Sequence, residues 1–98
     1  MDPELRRLTD DEIAAAMREL AGWQLADGKL QREFVFANFV DAISFIDRTA
    51  PWAETWNHHP EWSNVYNRVR VKLWTHDVGG ISRLDFQLAH KMNEIAGQ

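Results

Sequence analysis

The sequence predicts an α+β fold, a single four-stranded antiparallel sheet with helices packed on one face, in the order α-β-β-α-β-β-α. Three observations carry this reading. Two hairpin signatures, each a pair of apolar–polar alternating runs about a short polar turn, flank a long segment of helical periodicity. Capped helical segments stand near the start and the end of the chain. At 98 residues there is room for one hydrophobic core, which all these elements must share.

Residues 1–8 read as a flexible N-terminal arm and residues 9–98 as one domain, because the first helix signal is Thr9, an N-cap with Glu12 three positions on. Ile13, Met17 and Leu20 then form an apolar stripe, with Gly22 as a stop. Trp23–Leu25 and Leu30–Phe36 flank Asp27-Gly28, a strong hairpin signal. Asn38 caps the longest helix, in which Phe39, Ala42, Ile43, Ile46, Ala50 and Ala53 share one face while Phe45, Trp52 and Trp56 share another. Pro51 inside that segment predicts a kink or restart near Ala50, since proline lacks the backbone donor and crowds the preceding turn. Trp62–Tyr66 and Val69–His76 read as a second hairpin turning at Asn67-Arg68, with Val69, Val71 and Leu73 inward and Arg70, Lys72, Trp74 and His76 on the wetter parity. After the Asp77–Gly80 loop, Ser82 caps a final helix that directs Leu84, Leu88, Met92 and Ile95 to the core.

Composition narrows the function. The chain is 45% hydrophobic with five tryptophans, apolar enough to fold and to favour self-association as cover for leftover apolar area. Its net charge of −4 opposes direct nucleic-acid or anionic-membrane binding. Without cysteine there are no disulfides, thiolate metal sites or thiol nucleophiles. Met1-Asp2-Pro3-Glu4-Leu5 lacks the basic-then-apolar order of a signal peptide, and no apolar run approaches the ~20 residues that span a bilayer, so a cytoplasmic protein is expected.

Chemistry is expected at the histidines. His58-His59-Pro60 leaves the long helix and His76 ends a strand, while His90 lies within the last helix. Imidazole both donates and accepts protons near neutrality, and element ends on a rigid scaffold are common places for ligand sites. The plain structural alternative is a His-His pair meeting the last carbonyls of a helix. Glu54 is either a solvated helix residue or a partner for His58 one turn on, and Asp85 fits the carboxylate of a capping box begun by Ser82. Trp62 serves either as core or as a flat wall for a planar ring. His58, His59, His76, Glu54 and Asp85 are ligand types for zinc or iron, but adjacent histidines diverge and no His-Glu-x-x-His or His-x-His spacing is present, so no metal is expected.

Taken in order, Glu54-Thr55-Trp56-Asn57-His58-His59-Pro60-Glu61-Trp62, Asn64-Val65-Tyr66-Asn67-Arg68-Val69, Leu73-Trp74-Thr75-His76, Gly80 and Asp85 resemble the pterin-4a-carbinolamine dehydratase family, from about Trp23 to the C-terminus. The resemblance implies a lyase that converts 4a-hydroxytetrahydropterin to quinonoid dihydropterin and water without metal or organic cofactor, in support of tetrahydropterin recycling. It further implies His58 and His76 as acid/base groups, Glu54 and Asp85 as supporting carboxylates, and His59, Pro60 and Trp62 as substrate contacts. A homo-oligomer is implied too, a dimer or a tetramer of two dimers. Alternative roles within the resemblance are a dimerisation cofactor for a protein partner, as in animal members, and a part in molybdopterin metabolism.

Overall fold

The computed structural model describes residues 5–98; Met1–Glu4, half of the expected arm, lie outside them. Helix α1 (Asp10–Met17) is followed by strands β1 (Gln24–Ala26) and β2 (Lys29–Val35), helix α2 (Phe39–Thr55), strands β3 (Glu61–Val65) and β4 (Arg68–Leu73), a 3-10 turn (His76–Val78) and helix α3 (Arg83–Ala96). The four strands form one antiparallel sheet in the order β1-β2-β4-β3. This is the α+β arrangement read from the sequence.

The strand parity decides where the core lies. Leu30 and Phe34 of β2 and Val69, Val71 and Leu73 of β4 are buried, whereas Glu33, Arg68, Arg70 and Lys72 on the other face are exposed. Phe34 meets Phe45 of α2 at 4.8 Å between ring centroids, and Leu88, Ala89 and Met92 of α3 complete the same core. Arg32 shares the inward parity yet is only half-buried. Its guanidinium lies over the Phe34 ring and donates to Asn93 Oδ1 at 2.7 Å, and burial lowers its pKa. Gly22, at φ +83°, makes room for it, since a Cβ there would sit 2.6 Å from Arg32 Cζ.

Four local expectations shift. Helix α1 stops at Met17, not near Gly22, and Leu20 is buried from the loop beyond it. In α2 the buried stripe is Ala42, Phe45, Thr49 and Ala53, while Phe39 and Ala50 are exposed. The stripe is rotated because Thr49 serves as core, its hydroxyl satisfied by donating to Phe45 O at 2.8 Å. Helix α2 also runs unbroken through Pro51. Pro51 and Asp47, whose carbonyl loses the missing N–H, are both exposed, so water can take the free carbonyl. The second hairpin turns at Tyr66-Asn67, one residue earlier than expected, with Val65 paired to Arg68. Asn67 is the cause: its O accepts from Phe36 N and its Nδ2 donates to Phe36 O, both at 2.9 Å, which holds it in the turn. β4 accordingly ends at Leu73, and His76 opens the 3-10 turn outside the strand.

Because α2 accommodates Pro51 at the expense of one hydrogen bond, Pro51→Ala is expected to stabilise the protein by about 1–3 kcal/mol in urea denaturation. An unchanged midpoint would show that the helix carries no such penalty.

Candidate active site at the end of the sheet

Two turns fix the backbone of the histidines. Helix α2 ends with Asn57 in the left-handed region (φ 49°), His58 N donating to Ala53 O at 2.9 Å and Asn57 N to Glu54 O at 3.1 Å, the paired bonds of a Schellman ending. Asparagine tolerates that conformation better than most side chains. Across the sheet, Thr75 N donates to Gly80 O at 2.8 Å, closing the loop that contains the 3-10 turn. That closure holds His76 and Asp77 at the end of β4.

Between these turns lies an open cavity of about 680 Å³, lined by Leu5, Trp56, Asn57, His58, His59, Trp74, Thr75, His76, Asp77 and Leu84. It falls in the size range of small-molecule sites. The two adjacent histidines differ sharply. His58 is 7% exposed, and its Nε2 lies 2.6 Å from Asp85 Oδ1, whereas His59 is exposed and pairs with Glu54 at 2.8 Å. Glu54 therefore partners His59, not His58: the helix ends before the i+4 position is reached, and the left-handed turn redirects the chain.

Asp85 is fully buried, and every neighbour supports its negative charge. Besides His58, Thr75 Oγ1 donates to Oδ2 at 2.8 Å and Ser82 N donates to the same oxygen at 2.9 Å. Ser82 Oγ lies 2.6 Å from Thr75 Oγ1 and accepts from Leu84 N. One carboxylate thus closes the capping box of α3 and binds the imidazole that leaves α2. Since an ionised carboxylate only accepts, His58 Nε2 carries the proton there, and Nδ1 is the nitrogen left to exchange one with a ligand.

The remaining expected contacts lie elsewhere. Pro60 does not line the cavity, and Trp62 packs half-buried against the core beside a separate groove with Glu61, Ser63, Arg70 and Lys72. His90 is exposed on α3 and apart from the cavity. Conversely, Leu5, Trp56, Asn57, Trp74, Thr75, Asp77 and Leu84 reach it although sequence reasoning gave them no such place. Only adjacency to His58 and His76 could have flagged several of them. No group of three or more metal-ligating side chains converges among the described residues.

The described part of the arm reaches the cavity through Leu5 and is tied down. Leu8 N donates to Ile81 O at 2.8 Å, and Arg6 makes two hydrogen bonds to Glu12, which also accepts from Thr9 N. These bonds, the one from Arg6 first, lower the Glu12 carboxyl to about 2.

A histidine cavity at one end of a helix-covered antiparallel sheet, with one imidazole oriented by a buried carboxylate, defines a small α+β protein equipped for proton transfer on a bound ligand. The sequence profile of the pterin 4 alpha carbinolamine dehydratase family matches residues 6–95, and the chain belongs to that family. It is 52% identical over 89 residues to a protein of Dinoroseobacter shibae, covering 89% of this chain and 90% of the relative. A Solibacter usitatus protein is 50% identical over 90 residues, covering 92% and 95% of the two chains. Both are named, provisionally, as pterin-4-alpha-carbinolamine dehydratases. The crystal structure of a Brucella melitensis protein described as a transcriptional coactivator/pterin dehydratase superposes with a TM-score of 0.91 at 48% identity, covering 94% of this chain and all of that one.

Two outcomes test this geometry. Thr75→Val takes a donor from Asp85 and a partner from Ser82, and is expected to cost about 1–3 kcal/mol in urea denaturation. The Glu12 carboxyl, lower folded than unfolded, contributes stability that is complete above the ordinary carboxylate pKa and lost as pH falls through about 2. Its carboxyl carbon resonance should therefore titrate near 2; a midpoint near 4 would mean the arm is untethered in solution.

Proposed function

We propose that the protein dehydrates 4a-hydroxytetrahydropterin to quinonoid dihydropterin and water by histidine acid/base catalysis, in the cytoplasm and in support of tetrahydropterin recycling. The observation that carries this reading is the cavity shared by His58 and His76, with His58 oriented by buried Asp85. In the substrate the hydroxyl stands on C4a, next to N5. A proton delivered to the hydroxyl oxygen lets the N5 electron pair expel water, and loss of the N5 proton completes the neutral product. One protonated imidazole supplies the first transfer, and a neutral one, or water, accepts in the second. Each positioned group contributes about 10²–10⁴-fold, enough for a step that already proceeds unaided in water. The two transfers call on no cofactor.

Asp85 supports His58 through the proton on Nε2, and Glu54 does the same for His59, which with Trp56 and Trp74 offers surface to the flat ring. The working assembly is a homo-oligomer. Phe39, Val40 and Trp52 of α2 are exposed, as are Val35 and Val65 of the sheet and Tyr66 of the β3–β4 turn, more apolar surface than a lone small domain needs.

A coupled assay on freshly generated 4a-hydroxytetrahydropterin tests the reading. Wild-type protein is expected to outrun spontaneous dehydration, and His58→Ala and His76→Ala to lose about 10²-fold or more in kcat. His90→Ala, remote from the cavity, is expected to lose almost nothing. Equal losses in all three would reduce the histidines to structural parts.

A further inference from the structure

We infer that the N-terminal arm is a strap across the rim of the cavity, and that Leu5 on it is a substrate-binding residue, giving the bound ring an apolar contact. The inference rests on the pterin reading above and adds to it a wall from outside the sheet and its covering helices. Residues 5–9 belong to no helix or strand, yet four of them are fastened. Arg6 donates from both terminal nitrogens to the two oxygens of Glu12, at 2.7 and 2.6 Å, in a parallel fork. Arg7 lies against Gly80, where a Cβ would sit 2.8 Å from its Nε. Leu8 N donates to Ile81 O at 2.8 Å, and its side chain packs on the core. Thr9 closes the capping box of α1.

Leu5 departs from that pattern. It is half-buried and lines the cavity, but it is not among the side chains packed on the core. An apolar side chain held at the mouth of a cavity, with no core contact of its own, gains burial chiefly from what enters. With Trp56, Trp74 and Leu84 it forms the apolar part of the lining, the surface that a flat bicyclic ring needs against its faces. The strap also ties this contact to the loop that carries His76. Arg7 and Leu8 lie on Gly80 and Ile81, and Gly80 O accepts from Thr75 N, so the two segments brace each other. Arg6 is exposed and does not line the cavity, and is a positioning residue that acts through Leu5.

The test is calorimetric titration with 7,8-dihydropterin, beside steady-state rates in the coupled assay, for wild type, Leu5→Ala, Leu5→Met, Arg6→Ala and the double variant Leu5→Ala/Arg6→Ala. Leu5→Ala is expected to weaken binding about three- to tenfold, the burial that a half-exposed leucine still has to gain, and to raise KM alike with kcat unchanged. Leu5→Met should bind as wild type does. Arg6→Ala should lose about twofold, since an exposed ion pair holds the strap only weakly, and the double variant should be no worse than Leu5→Ala, because Arg6 has no other route to the ring. The urea midpoint of Leu5→Ala should match wild type. Unchanged affinity and KM in Leu5→Ala, a fall confined to kcat, a lowered midpoint, or losses that multiply in the double variant overturn the strap while leaving the dehydratase reading intact. A wild type that neither binds dihydropterin nor outruns spontaneous dehydration overturns both.

Discussion

The buried carboxylate of Asp85 is the constraint on which the active end of the molecule depends. Three chain segments meet at its two oxygens: the exit of α2 through His58, the end of β4 through Thr75, and the start of α3 through Ser82. A buried charge is tolerable only when it is paired and hydrogen-bonded, and these three donors reach both oxygens from three directions. The carboxylate that caps helix α3 through Oδ2 therefore also holds, through Oδ1, an imidazole at the cavity. Stability and site geometry are written into the same hydrogen bonds.

That economy explains the contrast between neighbouring histidines. His58 is buried at the cavity wall and held by one carboxylate partner. His59 remains in water, paired with exposed Glu54, and keeps more freedom to move. The left-handed Asn57 produces the divergence. A β-branched side chain there would oppose the turn and disturb both rings together.

What could be read from the sequence was whatever depends on short-range rules. The caps at Thr9, Asn38 and Ser82, the Asp27-Gly28 turn and the inward parity of Val69, Val71 and Leu73 each follow from a few adjacent residues, and the structure has them. The departures come from distant partners. Thr49 reads as polar until Phe45 O is seen to take its hydroxyl. The second turn moves because Phe36, far upstream, holds Asn67. Within the site, Ser82 and Asp85 advertise a helix cap, but nothing local says that the second oxygen of Asp85 belongs to His58. The pairing of Glu54 with His59 depends on where α2 stops, and helix ends are the least legible feature of a sequence.

The hairpin that joins β3 to β4 has a consequence of its own. His58 lies just before β3 and His76 just after β4, so the ladder that pairs Glu61 with Lys72 and Val65 with Arg68 works as a ruler between them. A slip of one residue would displace one imidazole from the other by about 3.3 Å and turn the strand's inner residues to solvent. The Tyr66-Asn67 turn, at the far end of that hairpin from the two histidines, thus sets the gauge between their imidazoles.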